Sequence, residues 1–247
     1  MPMDYRSRYL AKETWMDNSI EFKLEGRYAL FTDPVTRIGG EKSTYHIPTY
    51  QAIKGITESI YWKPTFYWVI DRVRIMKKIQ TESKNVKPLQ MDGKYGTNRH
   101  DLAIYTYLRD VEYRIQAHFE WNMNRPDLDE DRNDDKHYQI ALRMIKKGGR
   151  RDIFLGSREC QGYVEPCRFS AGAGFYDGEN ELSYGLMFHS FEYPSESGVE
   201  KLSARFWQAK IEEGILNFPR PEACPHKREI RSMKKEVVAV NTEEEID

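Results

Sequence analysis

Almost no net charge, only three cysteines and no long apolar run distinguish this 247-residue chain first by what it lacks. A formal charge of −1, from 38 basic and 39 acidic residues, excludes the global basic field of a protein that coats nucleic acid. Any such binding must come from local patches. Cys160, Cys167 and Cys224 are odd in number and contain no C-x-x-C pair. That argues against a structural zinc site and against a disulfide framework. No apolar stretch is long enough to span a bilayer, and MPMDYRSRYLAKETW lacks the apolar centre of a secretion signal. The expectation is a cytoplasmic protein with no membrane partner.

What the chain does have is aromatic residues, 13% of the total and led by 16 tyrosines, and a clear alternation of periods. Residues 1–19 carry no period and read as a flexible lead-in. Ile20, Phe22 and Leu24 alternate with charged residues, which predicts a half-buried strand. A loop through Asp33-Pro34 and Gly39-Gly40 follows. Thr49 is a candidate N-cap for a helix whose stripe is Ala52, Ile53, Ile56 and Ile60, stopped by Lys63-Pro64. Phe66 to Ile79 is strand-like. Gln80 to His100 is polar and reads as a long loop. Val111, Tyr113, Ile115, Ala117, Phe119 and Trp121 alternate strictly, the clearest strand in the chain. The acidic connection DLDEDRNDD leads to a second helix from about Lys136 to Lys147, with stripe Ile140, Ala141, Met144 and Ile145 and a stop at Gly148-Gly149. RRDIFLGSRECQGYVEPCRF supplies one or two more strands.

That order, β-α-β-β-α-β, predicts an α+β fold with a ferredoxin-like, RRM-like domain over residues 20–170. Leu182–Phe191, Leu202–Ile211 and Ile215–Phe218 then predict an antiparallel β-rich C-terminal region over residues 171–233. Residues 234–247 form a charged tail whose composition is that of a disordered segment.

Charge is unevenly distributed. From Lys63 to Arg99 there are nine basic residues against three acids, and from Lys136 to Arg168 eight against three. Lys84 and Lys87 lie in the first segment. Lys146, Lys147, Arg150 and Arg151 flank two glycines in the second, where a small backbone permits close approach to phosphate. The same residues also suit a helix C-terminus, where cations meet the negative end of the dipole.

RNA is cut without a metal when its own 2′-hydroxyl attacks the adjacent phosphate, given a proton acceptor, a proton donor and a positive charge for the phosphorane. Histidine carries protons near neutral pH. Six histidines compete. His118 is out of phase with the apolar residues of its strand, His46, His189 and His226 have no evident partner, and His100 lies in the basic loop. His137 follows Lys136 at a helix start, where free N–H groups favour anions and where the ammonium and helix end should favour a neutral imidazole.

The run GRYALFTDPVTRIGGEKSTYHIPTYQAIKGITESIYWKPTFYWVIDRVRIMKKI resembles the amino half of a CRISPR-associated family, Cas-five in its subtype I-C (Dvulg) form. YTYLRDVEYRIQAHFE, DRNDDKHYQI, GGRRDIFLGSRECQGYVEPC, FYDG and FPRPEACP continue the likeness, which spans about Ile20 to Pro225. The resemblance implies a metal-independent endoribonuclease with no cofactor. Such an enzyme recognises the CRISPR repeat hairpin in precursor transcripts and cuts at its 3′ base, leaving 5′-hydroxyl and 2′,3′-cyclic phosphate ends. It then stays on the crRNA 5′ handle with the other subunits of the type I-C interference complex. By the same resemblance the tyrosine of SIYWKP, Tyr61, is catalytic, with Lys136 and His137 of the DRN-x-x-KHY motif as partners. A non-catalytic subunit that caps crRNA, and a protein whose ligand is duplex DNA, are the competing classes.

Overall fold

The computed structural model describes residues 18–32, 41–87 and 102–234. The lead-in up to residue 17, the Asp33-Pro34 and Gly39-Gly40 loop, Lys94, Arg99, His100 and the tail from residue 235 lie outside them.

One mostly antiparallel sheet of ten strands carries the fold, with two main helices. The first strand, β1 (Ser19–Ala29), buries Ile20, Phe22 and Leu24 as their alternation requires, and runs on through Gly26. A Cβ at Gly26 would run into a methyl of the buried Leu155 and stand 3.1 Å from the Gln161 carbonyl oxygen, so a larger residue would have to displace that leucine. Helix α1 (Tyr50–Ile60) starts where Thr49 accepts a hydrogen bond from the Ala52 amide at 3.2 Å. It is followed by β2 (Phe66–Ile75), β3 (Thr81–Val86) and the long β4 (Ala103–Trp121). The second helix, α2 (Asp134–Lys147), is capped by Asn133 and ends on Gly148 at φ +87°. Asp134 and Asp135 in its first turn and Lys146 and Lys147 in its last oppose the helix dipole at both ends.

Strands β5 (Ile153–Phe154) and β6 (Gln161–Pro166) complete the amino-terminal part. Beyond them come β7 (Glu181–Glu192), a single helical turn α3 (Pro194–Ser197), β8 (Lys201–Glu212), β9 (Ile215–Asn217) and β10 (His226–Ser232). The path across the sheet is β10-β8-β9-β2-β4-β1-β6-β5, with β3 paired to β4 and β7 to β8. The late strands therefore join the same sheet through the β9–β2 pairing.

Four sequence expectations change. The polar stretch from Gln80 is not a loop throughout, because its first residues form β3 against the early half of β4. Alternation had marked only the buried second half of β4, while Ala103–Leu108 pairs with a strand of polar residues. The strand predicted to reach Ile79 stops at Ile75, and His226–Ser232, too exposed to show a pattern, forms β10.

The two sheet faces differ. Ile20, Phe22, Leu24, Ile115, Ala117 and Phe119 make the apolar face, in one core with Ile53, Ile56 and Ile60 of α1 and Ala141 and Ile145 of α2. Glu21, Gln116, His118 and Glu120 alternate to the other face, because successive strand residues point oppositely.

Candidate active site

Helix α1 ends at Tyr61, whose amide still donates to the Thr57 carbonyl while its own backbone turns extended, at φ −160° and ψ 131°. In extended backbone neighbouring side chains point to opposite sides. Tyr61 accordingly turns inward, 3% exposed, and Trp62 turns outward, 40% exposed. The indole N–H of Trp68 donates to the Tyr61 carbonyl at 2.7 Å and holds the turn.

The opposing wall is the first turn of α2. His137, Ala141 and Ile145 are its buried residues, spaced by four. The sequence stripe is thus one turn longer than its apolar members suggested. His137, expected at a surface helix start, is fully buried. Its ring lies among Tyr61, Phe66, Phe119 and Trp121, with ring centres 5.3 to 6.3 Å away.

The Tyr61 hydroxyl and His137 Nδ1 are 2.7 Å apart. On the far side, His137 Nε2 meets the Asp131 backbone carbonyl at 2.7 Å and the Asp131 carboxylate at 3.4 Å. A carbonyl oxygen can only accept, so Nε2 carries a proton. In a neutral imidazole Nδ1 is then an acceptor, and the Tyr61 hydroxyl donates to it. Burial, followed by the charge of Asp131, pushes the Tyr61 phenol well above its ordinary pKa, with Arg150 and Arg143 offsetting part of the effect. Tyr61 is therefore no base at neutral pH.

Lys136, by contrast, is exposed, and its ammonium bonds the Asp131 carboxylate at 2.7 Å. Thr65 donates to the other Asp131 oxygen at 2.7 Å. Burial works against this carboxylate, but the bonds from Lys136 and Thr65 and the nearby imidazole outweigh it and hold its pKa below the usual range. Asp131 thus ties Lys136 and His137 together. Sequence reasoning missed it among the acids of DLDEDRNDD, where only its place six residues before His137 distinguished it.

The other residues singled out from the sequence fall in two places. Lys146, Lys147, Arg150 and Arg151 are exposed at the end of α2 and just past it. The Arg150 and Arg151 amides donate to the Ile60 and Ser59 carbonyls at 3.1 Å each, so this basic loop is bolted to the end of α1 beside Tyr61. Lys84 and Lys87 are not part of that cluster. Lys84 pairs opposite Tyr105, fourteen residues along β4 from Phe119, and its ammonium sits 3.4 Å from the Tyr28 ring centre. Among the described residues no cluster of three or more His, Cys, Asp or Glu is arranged to hold a metal ion, and no helix is long and apolar enough to cross a membrane.

A protein-family model described as CRISPR-associated protein (Cas_Cas5), the Cas5d model, matches residues 19–219. The chain belongs to the Cas5d family. A CRISPR pre-crRNA endoribonuclease Cas5d from Mannheimia succiniciproducens is 26% identical over 240 residues, covering 83% of this chain and 96% of that protein. One of the same name from Thermus thermophilus is 25% identical over 224 residues, covering 81% and 91%. A crystal structure of a CRISPR-associated protein superposes with a TM-score of 0.71 at 33% identity, over 88% of this chain and 100% of the other. A functionally uncharacterized Streptococcus mutans protein gives 0.68 at 38% identity, over 85% and 96%. In this Cas5d chain the tyrosine and histidine that the resemblance singled out are in direct contact.

The other buried histidines have structural partners. His189 stacks on Tyr50 and bonds Ser190 and the Pro219 carbonyl, and burial lowers its pKa to about 4. His118 lies on the opposite sheet face, 2.9 Å from Asp71, a residue the register skips between Ile70 and Arg72. Burial disfavours its charge, but bonds to Asp71 and Glu120 win and raise its pKa to about 9. A pKa raised above the unfolded value of about 6.5 adds stability that is complete below that value and is lost as pH climbs through the folded one. The stability advantage over His118→Asn should therefore be greatest below about pH 6.5 and shrink towards pH 9, in urea melts across that range. A pH-independent difference would remove the charge from the account.

Proposed function

We propose that this chain is a metal-independent endoribonuclease that recognises the repeat hairpin of a CRISPR precursor transcript and cuts at the 3′ base of that hairpin. It then remains on the crRNA 5′ handle in the type I-C interference complex, in the cytoplasm. The observation that carries this reading is the 2.7 Å contact between Tyr61 and His137, two residues 76 apart that meet from the end of one helix and the start of another. The two relatives named as pre-crRNA endoribonucleases support it.

In the mechanism, the 2′-hydroxyl gives its proton to the Tyr61 oxygen as the phenol proton passes to His137 Nδ1. Tyr61 never holds a full negative charge, which its burial forbids. The imidazolium so formed is stabilised by Asp131, 3.4 Å from Nε2. The 2′-oxygen bonds to phosphorus, the bond to the 5′-oxygen breaks, and the exposed Lys136 ammonium meets the phosphorane charge and protonates the leaving oxygen. The products are a 2′,3′-cyclic phosphate and a 5′-hydroxyl. Lys146, Lys147, Arg150 and Arg151 hold the hairpin phosphates. Lys84 and Lys87 form a separate contact for a more distant part of the RNA.

The scaffold for this site is a ferredoxin-like core over residues 20–170, extended by the β-rich region 171–233. The strand order β2-β4-β1-β6, with α1 between β1 and β2 and α2 between β4 and β6, supports it.

Purified protein incubated with repeat RNA in EDTA should give one cut with those two end groups, and a single 2′-deoxy nucleotide at the cut should stop it. Cleavage that needs magnesium, or survives the deoxy substitution, would overturn the mechanism. Reversing charge at Arg150 and Arg151 should weaken binding and flatten its dependence on salt by about one to two units of slope. An unchanged slope would take these arginines off the RNA.

One observation favours a non-catalytic crRNA-capping subunit instead. His137 is fully buried and Tyr61 nearly so, as in a purely structural pair. Under that reading the EDTA experiment yields intact RNA bound at full affinity.

A further inference from the structure

Beside Tyr61, on the outer side of the same chain turn, lies a cleft of about 210 Å³ lined by Glu58, Ser59, Trp62, Lys63, Arg150 and Arg151. Nothing in the mechanism above uses Trp62 or Glu58. Trp62 is the one exposed residue among the described tryptophans, and the extended backbone at Tyr61 is what directs it outward. The floor is rigid, because the amides of Arg150 and Arg151 close the last carbonyls of α1. Glu58 is one of the lining residues; its carboxylate lies 3.7 Å from Lys54, whose ammonium bonds Glu196 more closely, at 2.5 Å. The cleft thus combines an exposed aromatic residue, three cations and a carboxylate whose pKa burial pushes up against the pull of Lys54.

We infer that this cleft is a nucleobase subsite that takes one unpaired nucleotide next to the scissile phosphate, stacked on Trp62, and selects a base with an exocyclic amino group through Glu58. Each wall matches one part of a nucleotide. An indole offers a π-face to any base. Lys63, Arg150 and Arg151 meet the flanking phosphates. A carboxylate only accepts hydrogen bonds, so it favours guanine, adenine or cytosine, which present amino N–H groups, over uracil, whose pairing edge is flanked by two carbonyl oxygens. Tyr61 and Trp62 are adjacent in the chain and point to opposite sides. Seating a base on Trp62 therefore fixes its backbone against the turn that carries Tyr61. The inference rests on the RNA-cleaving reading of Tyr61 and His137, and adds to it the choice of cut position.

The test separates the two. Repeat RNAs carry 2-aminopurine singly at each position flanking the cut, with a 2′-deoxy nucleotide there to keep them whole. They are mixed with wild-type protein, Trp62→Ala and Trp62→Phe. At one position binding should change the emission at least about two-fold; Trp62→Ala should abolish that change and Trp62→Phe retain it. Absence of any Trp62-dependent position overturns the subsite, whether or not unmodified RNA is cut. A Trp62-dependent signal with RNA that is never cut keeps the subsite and sinks the nuclease. With cleavable RNA, wild type should prefer an amino-bearing base over uracil at that position by about ten-fold, and Glu58→Gln should narrow this to about two-fold. A preference untouched by Glu58→Gln overturns the selective role of the carboxylate.

Discussion

His137→Ala should cut repeat RNA at least about a thousand-fold more slowly than wild type, while hairpin affinity stays within a few-fold. The imidazole is the only group in the Tyr61 contact suited to take a proton near neutral pH, because burial raises the phenol further from that range. Affinity should survive if, as proposed, the exposed cations at the end of α2, and not the buried ring, meet phosphate. The alanine variant also leaves a cavity among Phe66, Phe119 and Trp121 and orphans two hydrogen bonds, at a cost of about 2–4 kcal/mol. His137→Gln fills most of that space, and thermal melts of both variants separate unfolding from lost chemistry. Single-turnover cleavage by folded His137→Gln within ten-fold of wild type would remove His137 from the reaction.

Tyr61→Phe isolates the hydroxyl. The ring stays packed on Phe66 and His137, while Nδ1 loses its donor in a buried setting, a loss of about 1–3 kcal/mol in stability. If the 2′-hydroxyl reaches His137 through the phenol, cleavage should fall by about a hundred- to a thousand-fold with unchanged affinity. Wild-type rates in Tyr61→Phe would mean that the imidazole meets the ribose directly, and the relay would be wrong although the histidine stayed essential. The Tyr61→Phe rate tells the two apart, and the double variant checks that the phenol and imidazole act together. Residues acting as one unit lose no more together than His137→Ala loses alone.

Local order was legible wherever a period of two or 3.6 met a buried face. Ile20–Leu24 and the second half of β4 followed from that rule, and the Thr49 cap and the glycine stop of α2 from helix-end chemistry. It failed where pairing is solvent-exposed, as in β3 and β10, because a strand with no buried side carries no alternation.

For the site, the chain itself determined which side chains are present, that Tyr61 ends one helix and that Lys136 and His137 begin another. Only the packed structure decided that the phenol and the imidazole touch and that His137 is a core residue. It also decided that Asp131 binds both neighbours, and that Lys84 lies apart from the basic loop. The reason is physical. Helix ends are written in local backbone chemistry, within four residues of a cap. A contact between residues 76 apart depends on how both helices settle on one sheet, which no local pattern encodes.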